Sequence, residues 1–284
     1  MASQISVVIP AYNASRVIER QLRALNAQSR LDFDVVVSDN GSTDETGRVV
    51  ANWAPAFASL RYVDSSGLKG AAHARNVGVR AVRSEFVLLC DSDDVVSPVW
   101  VSAHVAALEH ADASSGPLHI VEEPGTLPRE IWNECELPVS MSFLPYLPSG
   151  NAGFRREAFE QLDGFDEDLW RGHEDVDLGW RLSLAGFSVR HTPDAVIEYV
   201  QRSTRWKRVQ QQFSYGQAFA ELYAKHEAEQ IPVQSQAWRV KWWLEWTKQT
   251  VPNSQKWSSA LNTLAFQVGR GFRSTRLGVR SPMW

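Results

Sequence analysis

Three aspartates crowd the end of one apolar segment of the chain. Residues 86–90, FVLLC, are uninterrupted apolar residues, and Asp91, Asp93 and Asp94 follow within four positions. Carboxylates this close repel one another unless a positive charge lies among them. Hard divalent cations such as Mg2+ or Mn2+ prefer oxygen ligands, commonly one or two protein carboxylates together with phosphate oxygens. The stretch predicts a cation site, although a helix cap at Asp94 or Ser97 would account for one of the acids.

Acidic residues also occur at two other predicted element boundaries. Asp39 comes directly after the β-branched segment 34–38, in an Asp-Asn-Gly-Ser turn. Glu174 and Asp175 open the helical segment EDVDLGWRLSLAG, which we expect to end at Gly186. The helix dipole favours acids in a first turn whatever their function, so this pair alone does not establish a site.

The elements that must position these acids alternate between short apolar strands and amphipathic helices. Strands are predicted at 5–10, 34–38, 60–64 and 86–90, and helices between them, one capped by Ser15 and one capped near Ser42 or Thr43. This alternation indicates βαβ units and a parallel sheet with helices on both faces. In such sheets ligands bind at the carboxyl ends of the strands, where Asp39 and Asp91 both lie.

Residues 111–148 interrupt this order. The stretch is rich in proline and poor in periodicity, and we expect a long excursion with one strand at LHIVE. A helix at RREAFEQL and the helix that opens with Glu174 follow it, and beyond residue 203 the chain is predicted to be helical.

Charge divides the chain into an acidic body and a basic tail. Residues 1–200 hold 16 Lys and Arg against 29 Asp and Glu, a net of −13, and residues 201–284 hold 13 against 4, a net of +9. The two cysteines, Cys90 and Cys135, form no disulfide framework, and Cys90 is expected to be a small core residue. The N-terminus lacks the features of a signal peptide and no apolar stretch is long enough to span a bilayer, so we expect a cytoplasmic protein.

Five segments in order resemble the family 2 glycosyltransferases. They are PAYN after the first strand, SDNGSTD after the second, AARNVG in the third helix, DSDD after the fourth strand, and HEDVDLGWRL about 80 residues later. The resemblance covers roughly residues 4–200. It implies the GT-A fold, a mostly parallel Rossmann-like sheet with helices on both faces, and a nucleotide-activated sugar as donor.

The resemblance also assigns the donor site. Residues Pro10, Ala11, Tyr12 and Asn13 resemble the loop that holds the nucleoside, and Asp39 resembles the carboxylate that accepts from the base, which suits the imide N–H of uracil. The family usually has a second acid where this chain has Asn40. Lys69, Arg75 and Asn76 resemble the diphosphate and ribose contacts, and Asp91, Ser92 and Asp93 resemble the segment that binds the diphosphate through Mg2+ or Mn2+.

The family's catalytic base falls on the Glu174-Asp175 pair. A positioned carboxylate that takes the proton of the attacking sugar hydroxyl lowers the barrier to transfer, and we assign this role to Asp175, with Glu174 supporting it or contacting the acceptor. Gly150 and Asn151 resemble backbone that lines the donor sugar. The family often carries a metal-binding histidine near position 199, where this chain has Glu198 and Tyr199, so Glu198 or His191 are the candidates to complete the cation site.

These assignments predict an inverting transferase that moves a sugar from a nucleotide-diphosphate donor to a hydroxyl of a saccharide or lipid-linked saccharide. We expect a catalytic domain at 1–202, with a donor half at about 1–110 and an acceptor half at about 111–202, and a helical, basic extension at 203–284. A metal-dependent nucleotidyltransferase is an alternative, but PAYNAS lacks a Gly-rich basic phosphate loop. A nucleotide-sugar-binding protein without turnover is another, and a dinucleotide dehydrogenase is disfavoured because no G-x-G-x-x-G follows the first strand.

The extension offers two kinds of partner. In AWRVKWWLEWTKQ (237–249), Trp238, Trp242 and Trp246 recur at every fourth position, with basic residues between them. These rings would pack against the catalytic body or a second subunit of a homo-oligomer. Alternatively, they would attach the protein to the cytoplasmic face of a membrane, because tryptophan favours membrane interfaces and basic residues attract anionic lipid.

Overall fold

The computed structural model describes residues 3–200, 205–229, 231–232 and 257–279. The strands are β1 (Ile5–Ala11), β2 (Asp34–Asp39), β3 (Leu60–Asp64), β4 (Phe86–Cys90), β5 (Val95–Val96), β6 (Ala113–Ser115), β7 (Leu118–Val121), β8 (Glu130–Trp132), β9 (Val139–Ser140), β10 (Leu144–Pro145), β11 (Asn151–Arg155), β12 (Val189–His191) and β13 (Ile197–Val200). The helices are α1 (Ile18–Asn26), α2 (Thr46–Trp53), α3 (Ala71–Arg80), α4 (Trp100–Leu108), α5 (Arg156–Gln161), α6 (Glu174–Leu184), α7 (Arg205–Lys225) and α8 (Trp257–Leu277).

The central sheet has seven strands in the order β12-β6-β11-β4-β1-β2-β3. Strand β1 pairs in parallel with both β4 and β2, and β2 pairs in parallel with β3. Only β11 runs antiparallel within this sheet, between β4 and β6. The expected mostly parallel α/β sheet is confirmed, and its four predicted strands lie side by side.

Two apolar cores cover the two faces of this sheet. Along β4, Phe86, Leu88 and Cys90 contribute to one core, while Val87 and Leu89 contribute to the other. This division follows from the alternation of side chains along a strand, and because both faces are buried the strand needs an unbroken apolar sequence. Cys90 is fully buried, as expected.

The predicted side-chain caps of α1 and α2 were wrong, and the alternative cap considered for α4 is also absent. Helix α1 begins after Val17 without a side-chain cap, because the Ser15 hydroxyl donates to Asp44 instead. Neither Ser42 nor Thr43 caps α2, which begins at Thr46, with the Asp44 carboxylate accepting from the Thr46 backbone N–H. Helix α4 begins at Trp100, so neither Asp94 nor Ser97 is its cap.

The predicted excursion contains more strand than expected. The strand at LHIVE is present as β7, and it belongs to a second sheet in the order β5-β13-β7-β8. The first of these strands, β5, directly follows the three aspartates, and its neighbour β13 runs antiparallel to it. The second sheet therefore continues from the acidic end of β4.

The chain divides into two compact units. One comprises residues 1–138, 145–170 and 174–201, and the other comprises residues 139–144, 171–173 and 202–284. In the second unit, α7 and α8 cross closely: a Cβ on Gly216 would lie 1.9 Å from the Phe266 carbonyl oxygen, and one on Gly269 would lie 2.1 Å from the Phe213 carbonyl oxygen. Only glycine fits at such a crossing.

The tryptophan-rich stretch 237–249 lies outside the described residues. Among the helices in the described ranges, none is both long enough and apolar enough to cross a bilayer.

Candidate functional site

The candidate site lies at the carboxyl edge of the central sheet. Asp39 is the last residue of β2 and Asp91 directly follows β4, and β1 lies between these two strands. The β1 end, Pro10-Ala11, therefore lies between the two acids. Ala11 pairs with Asp39 in the strand register, so the predicted nucleoside loop leaves the sheet beside that carboxylate.

Asp91, Asp93 and Asp94 form an acidic cluster in which one carboxylate oxygen from each lies within 4.8 Å of the others. Burial, followed by the charges of Asp91 and Asp93, raises the pKa of Asp94 well above its ordinary value. Gly150 packs onto the cluster so closely that a Cβ there would lie 2.8 Å from Asp91 Oδ2. Three converging carboxylates suit a hard divalent cation, and a cation among them would favour the ionised form of Asp94.

Arg75 connects this cluster to the second acidic pair. Its Nη2 donates to Asp91 Oδ1 at 2.7 Å and its Nη1 donates to Glu174 Oε1 at 2.9 Å. Burial acts to lower the pKa of Arg75, but the carboxylates of Asp91 and Glu174 outweigh burial and raise it. The guanidinium is 4% exposed, so it is a fixed charge between the two acidic groups.

Close packing of α3 on the sheet fixes the position of that arginine. Gly78, one turn further along α3, lies so near β1 that a Cβ would be 2.3 Å from Val8 Cγ1. Because any larger residue would push the helix away from the sheet, Gly78 sets how far the Arg75 side chain reaches.

Asp175 is held at the first turn of α6. Its Oδ1 accepts from the Val176 backbone N–H at 2.8 Å, and its Oδ2 accepts from the Ser149 backbone N–H at 3.4 Å. Burial, with a further contribution from the Glu174 charge, raises the pKa of Asp175 to about 7. A carboxylate with this pKa is suited to accept a proton near neutral pH.

The predicted nucleoside loop is held against the turn that follows β2. Asp39 accepts from the Ser42 backbone N–H at 2.9 Å, and the Ser42 hydroxyl oxygen accepts from the Asn13 backbone N–H at 2.8 Å. Asn13 has a positive φ of 49° and accepts from the Thr43 backbone N–H through Oδ1. Tyr12, at the tip, is 61% exposed.

Asn40 closes the loop at 65–70. Its Nδ2 donates to the Ser65 and Leu68 carbonyl oxygens at 2.6 and 2.8 Å, and its Oδ1 accepts from the Gly70 backbone N–H at 2.9 Å. A carboxylate could not make the two donor contacts. Asparagine, at a position where the family usually has an acid, therefore holds this loop closed. Exposed Lys69 lies within the loop.

Two predicted ligand residues have side chains that are hydrogen-bonded within the protein. Asn76 donates to the Phe165 carbonyl oxygen and to Glu167, and accepts from the Phe165 backbone N–H. Asn151 donates to two carbonyl oxygens and accepts from Trp100 Nε1 and His104 Nε2. Both amide hydrogens of Asn76 are engaged, which leaves one lone pair of its Oδ1 for the predicted ribose contact. Asn151 is fully buried, and its backbone N–H and carbonyl oxygen also bond within the protein, to the Pro148 carbonyl oxygen and the Ser115 hydroxyl.

Neither candidate for completing the cation site belongs to the acidic cluster of the described residues. Glu198 Oε2 accepts from the Gly125 backbone N–H at 2.9 Å, and His191 Nε2 lies 2.7 Å from the Asn133 carbonyl oxygen. The cluster contains Asp94 instead, and Ser92 lies in the same turn.

The sequence assigned the cation to Asp91 and Asp93 and gave Arg20 no role in the site. Asp94 Oδ1 accepts from the Val200 backbone N–H at 3.1 Å, and Arg20 Nη2 donates to the Asp93 carbonyl oxygen. The sequence did indicate a role for Asp94, because a helix cap accounts for one of the three adjacent acids and not for all of them. No sequence pattern indicated a role for Arg20, because an arginine on an amphipathic helix usually faces solvent.

The parallel sheet with acids at its carboxyl edge defines a GT-A type fold. The chain belongs to glycosyl transferase family 2, whose profile matches residues 6–163, more than half of its length. A second profile, described as the N-terminal domain of galactosyltransferase, matches residues 141–204. The predicted family and fold class are confirmed.

Curated relatives are longer than this chain. A pre-mycofactocin glycosyltransferase of Mycobacterium tuberculosis is 26% identical over 240 residues, covering 81% of this chain and 49% of the relative. A validoxylamine A glucosyltransferase of Streptomyces hygroscopicus subsp. jinggangensis is 31% identical over 222 residues, covering 64% and 52%. The chain thus spans about half the length of these relatives.

Solved structures share the fold. The mannosyltransferase PcManGT of Pyrobaculum calidifontis, in complex with GDP-Man and Mn2+, has a TM-score of 0.62 at 23% identity, over 98% of this chain and 78% of that one. Residues 1–349 of Staphylococcus aureus TarS, in complex with UDP-GlcNAc, have a TM-score of 0.58 at 18% identity, over 98% and 93%.

Proposed function

We propose that the chain transfers a sugar from a nucleotide-diphosphate donor, with a UDP-sugar favoured, to a hydroxyl of a saccharide or lipid-linked saccharide acceptor, with inversion at C1. The observation that carries this proposal is the position of Arg75. One guanidinium contacts Asp91 of the acidic cluster and Glu174 of the catalytic pair, so the donor diphosphate and the base would lie close together. Transfer requires that proximity, because base and leaving group act on the same carbon.

The donor assignment is supported by the contacts at the ends of β1 and β2. Asp39 is 6% exposed and is oriented by Ser42, which suits a carboxylate that accepts from the edge of a base. Exposed Tyr12 is available to cover the ring. The complexes of the two structural neighbours with GDP-Man and UDP-GlcNAc support a nucleotide sugar as the donor class.

The cation assignment is supported by the acidic cluster. We infer that Asp91 and Asp93, with Asp94 behind them, hold Mg2+ or Mn2+. When bound, the cation would offset the negative charge that develops on the departing diphosphate. The Mn2+ in the PcManGT complex favours the same class of ion.

In the reaction, the protein's own residues position the reacting groups and transfer a proton. Asp175, fixed by the Val176 and Ser149 backbone N–H groups, takes the proton of the acceptor hydroxyl as its oxygen forms a bond to C1. The bond between C1 and the diphosphate oxygen breaks, and its electron pair leaves with the nucleotide. Attack from the face opposite the leaving group inverts the anomeric centre.

A nucleotide-sugar panel tests the proposal. Thermal stabilisation of the protein by nucleotide sugars in the presence of Mn2+ identifies the donor, because a ligand that binds the native state raises the melting temperature. Turnover should then release a nucleoside diphosphate. Release of pyrophosphate would indicate a nucleotidyltransferase, and stabilisation without turnover for any acceptor would indicate a binding protein.

A further inference from the structure

Helix α8 carries an apolar stripe on its outer side. Leu261, Leu264, Val268 and Phe272 recur at intervals of three and four residues, which places them on one face of the helix. Their exposed fractions are 43, 43, 52 and 48%. The stripe extends about 16 Å along the helix axis, at 1.5 Å per residue.

The opposite face of α8 is occupied by α7. Phe266 packs against Phe219 with ring centroids 5.4 Å apart, and Gly269 lies at the close crossing with Phe213. The α7–α8 contact therefore holds α8 in place and leaves the stripe on the face of α8 that points away from α7.

The charge of α8 distinguishes between two possible occupants of the stripe. The helix contains three arginines, Arg270, Arg273 and Arg276, and no acidic residue. Arg273 forms an ion pair with Glu221 of α7, with Nε 2.7 Å from Oε1. Arg276 is exposed and lies over the Phe272 ring at 4.4 Å, at the end of the stripe. Two copies of α8 packed face to face in parallel would bring these positive charges together. An anionic surface would complement them.

We propose that the outer face of α8 binds an anionic lipid bilayer, with Leu261, Leu264, Val268 and Phe272 among the acyl chains and Arg276 at the phosphates. A preformed helix with an apolar face and basic residues beside it has the features of an interfacial helix. The attachment itself is independent of catalysis. Its consequence for the acceptor, that a lipid-linked saccharide would be presented at the same surface, rests on the proposed function.

Vesicle cosedimentation of the full chain tests the proposal. The probes are phosphatidylcholine vesicles with and without about 30% phosphatidylglycerol, a fraction chosen to give a clearly negative surface. We expect pelleting with the anionic vesicles at low ionic strength, weaker pelleting at high ionic strength, and little with phosphatidylcholine alone. The double variant Leu264→Glu/Val268→Glu should reduce the partition coefficient by about tenfold or more.

Two controls separate the apolar face from general effects. Leu127→Glu adds an acid at a side chain that is 90% exposed outside the second unit, and it should pellet as the wild type does. Arg276→Gln should weaken binding to anionic vesicles and leave any residual binding to phosphatidylcholine unchanged. The melting temperature and donor turnover with a soluble acceptor should be unchanged in all variants, so loss of attachment is distinguished from loss of fold or of transfer.

Retention of the wild-type chain in the supernatant at low ionic strength would overturn the proposal. Equal pelleting of the wild type and Leu264→Glu/Val268→Glu would also overturn it. A dimer in sedimentation velocity that the double variant dissociates, without vesicle binding, would assign the stripe to a second copy instead.

Discussion

Replacing Asp175 by asparagine should stabilise the protein while it disables transfer. The pKa of this carboxyl is 3.8 in its ordinary state and about 7 in the folded chain, chiefly because of burial and then because of Glu174. The folded state therefore holds the proton more tightly than the unfolded state does. Between these two pKa values, the free energy of unfolding falls as the pH rises, and the full loss is reached above about pH 7.

The size of the effect follows from the difference between the two pKa values. At about 1.4 kcal/mol for each pH unit, ionising Asp175 reduces the free energy of unfolding by at most about 4 kcal/mol. Asparagine cannot ionise and keeps an oxygen for the Val176 N–H, but it loses one weak contact with the Ser149 N–H, worth about 1 kcal/mol. We expect Asp175→Asn to be more stable than the wild type by up to about 3 kcal/mol at about pH 8, with a smaller difference at about pH 5.

Denaturant unfolding of both proteins at the two pH values measures this difference, and nucleoside diphosphate release measures turnover. Turnover should fall by about 10²–10⁴-fold with donor affinity little changed. Asp177 provides a matched control, because it lies on the same helix, is fully buried and is paired with Arg181 at 2.7 Å. Asp177→Asn should lose about 3 kcal/mol or more. If Asp175→Asn shows no gain at the higher pH, or an equal gain at both, the electrostatic account of this acid is refuted.

Three further predictions concern the surrounding contacts. The kcat/KM of the wild type should rise with pH to about 7. Because Glu174 raises the pKa of Asp175, Glu174→Gln should shift this rise to lower pH. An unshifted pH profile would contradict the assignment of Asp175 as the base. EDTA should abolish transfer and Mn2+ or Mg2+ should restore it, and Asp93→Asn should lose turnover while its far-UV spectrum stays native; full activity in EDTA would exclude the cation. Asn40→Asp should lower the free energy of unfolding by about 2 kcal/mol, because two backbone carbonyls lose their donor. Proteolysis at 65–70 should increase. Unchanged protection from proteolysis there would show that the Asn40 hydrogen bonds are not needed to hold the loop.

The central strands could be predicted from local pattern because their burial is uniform. The apolar sequence of β4 marks it as covered on both faces, and its predicted bounds, Phe86–Cys90, match the structure. Strand β11 could not be found in this way. Its sequence, NAGFR, has no apolar run, and its place in the sheet depends on pairing with β4 and β6 and on the absence of a side chain at Gly153, where a Cβ would lie 2.8 Å from Ser114 Oγ.

Helix starts were predicted less well, for a related reason. Ser15 and Ser42 are good cap residues by type, but the side chain of each contacts another segment: Ser15 bonds to Asp44, and Ser42 bonds to the Asn13 backbone N–H. A side chain at the end of a strand can bond within its own turn or across to the next one. Local sequence does not distinguish between these partners, because the choice depends on which strands are neighbours in the sheet.

The asparagines of the site illustrate how far a motif can assign chemistry. Asn40, Asn76 and Asn151 all lie at or beside segments that the family uses for the donor, and the side chain of each bonds to the chain's own backbone. An amide has two donors and an acceptor, so it can satisfy backbone carbonyl oxygens as well as a backbone N–H, whereas an ionised carboxylate can satisfy only N–H groups. Carboxylates at the same edge accept only, and the acceptors that exceed the local donors are the groups left to bind a cation, a nucleotide base or a proton. Whether a side chain of this site stabilises the fold or can bind a ligand therefore depends on the balance of hydrogen-bond donors and acceptors around it. That balance is set by the tertiary neighbours of each residue.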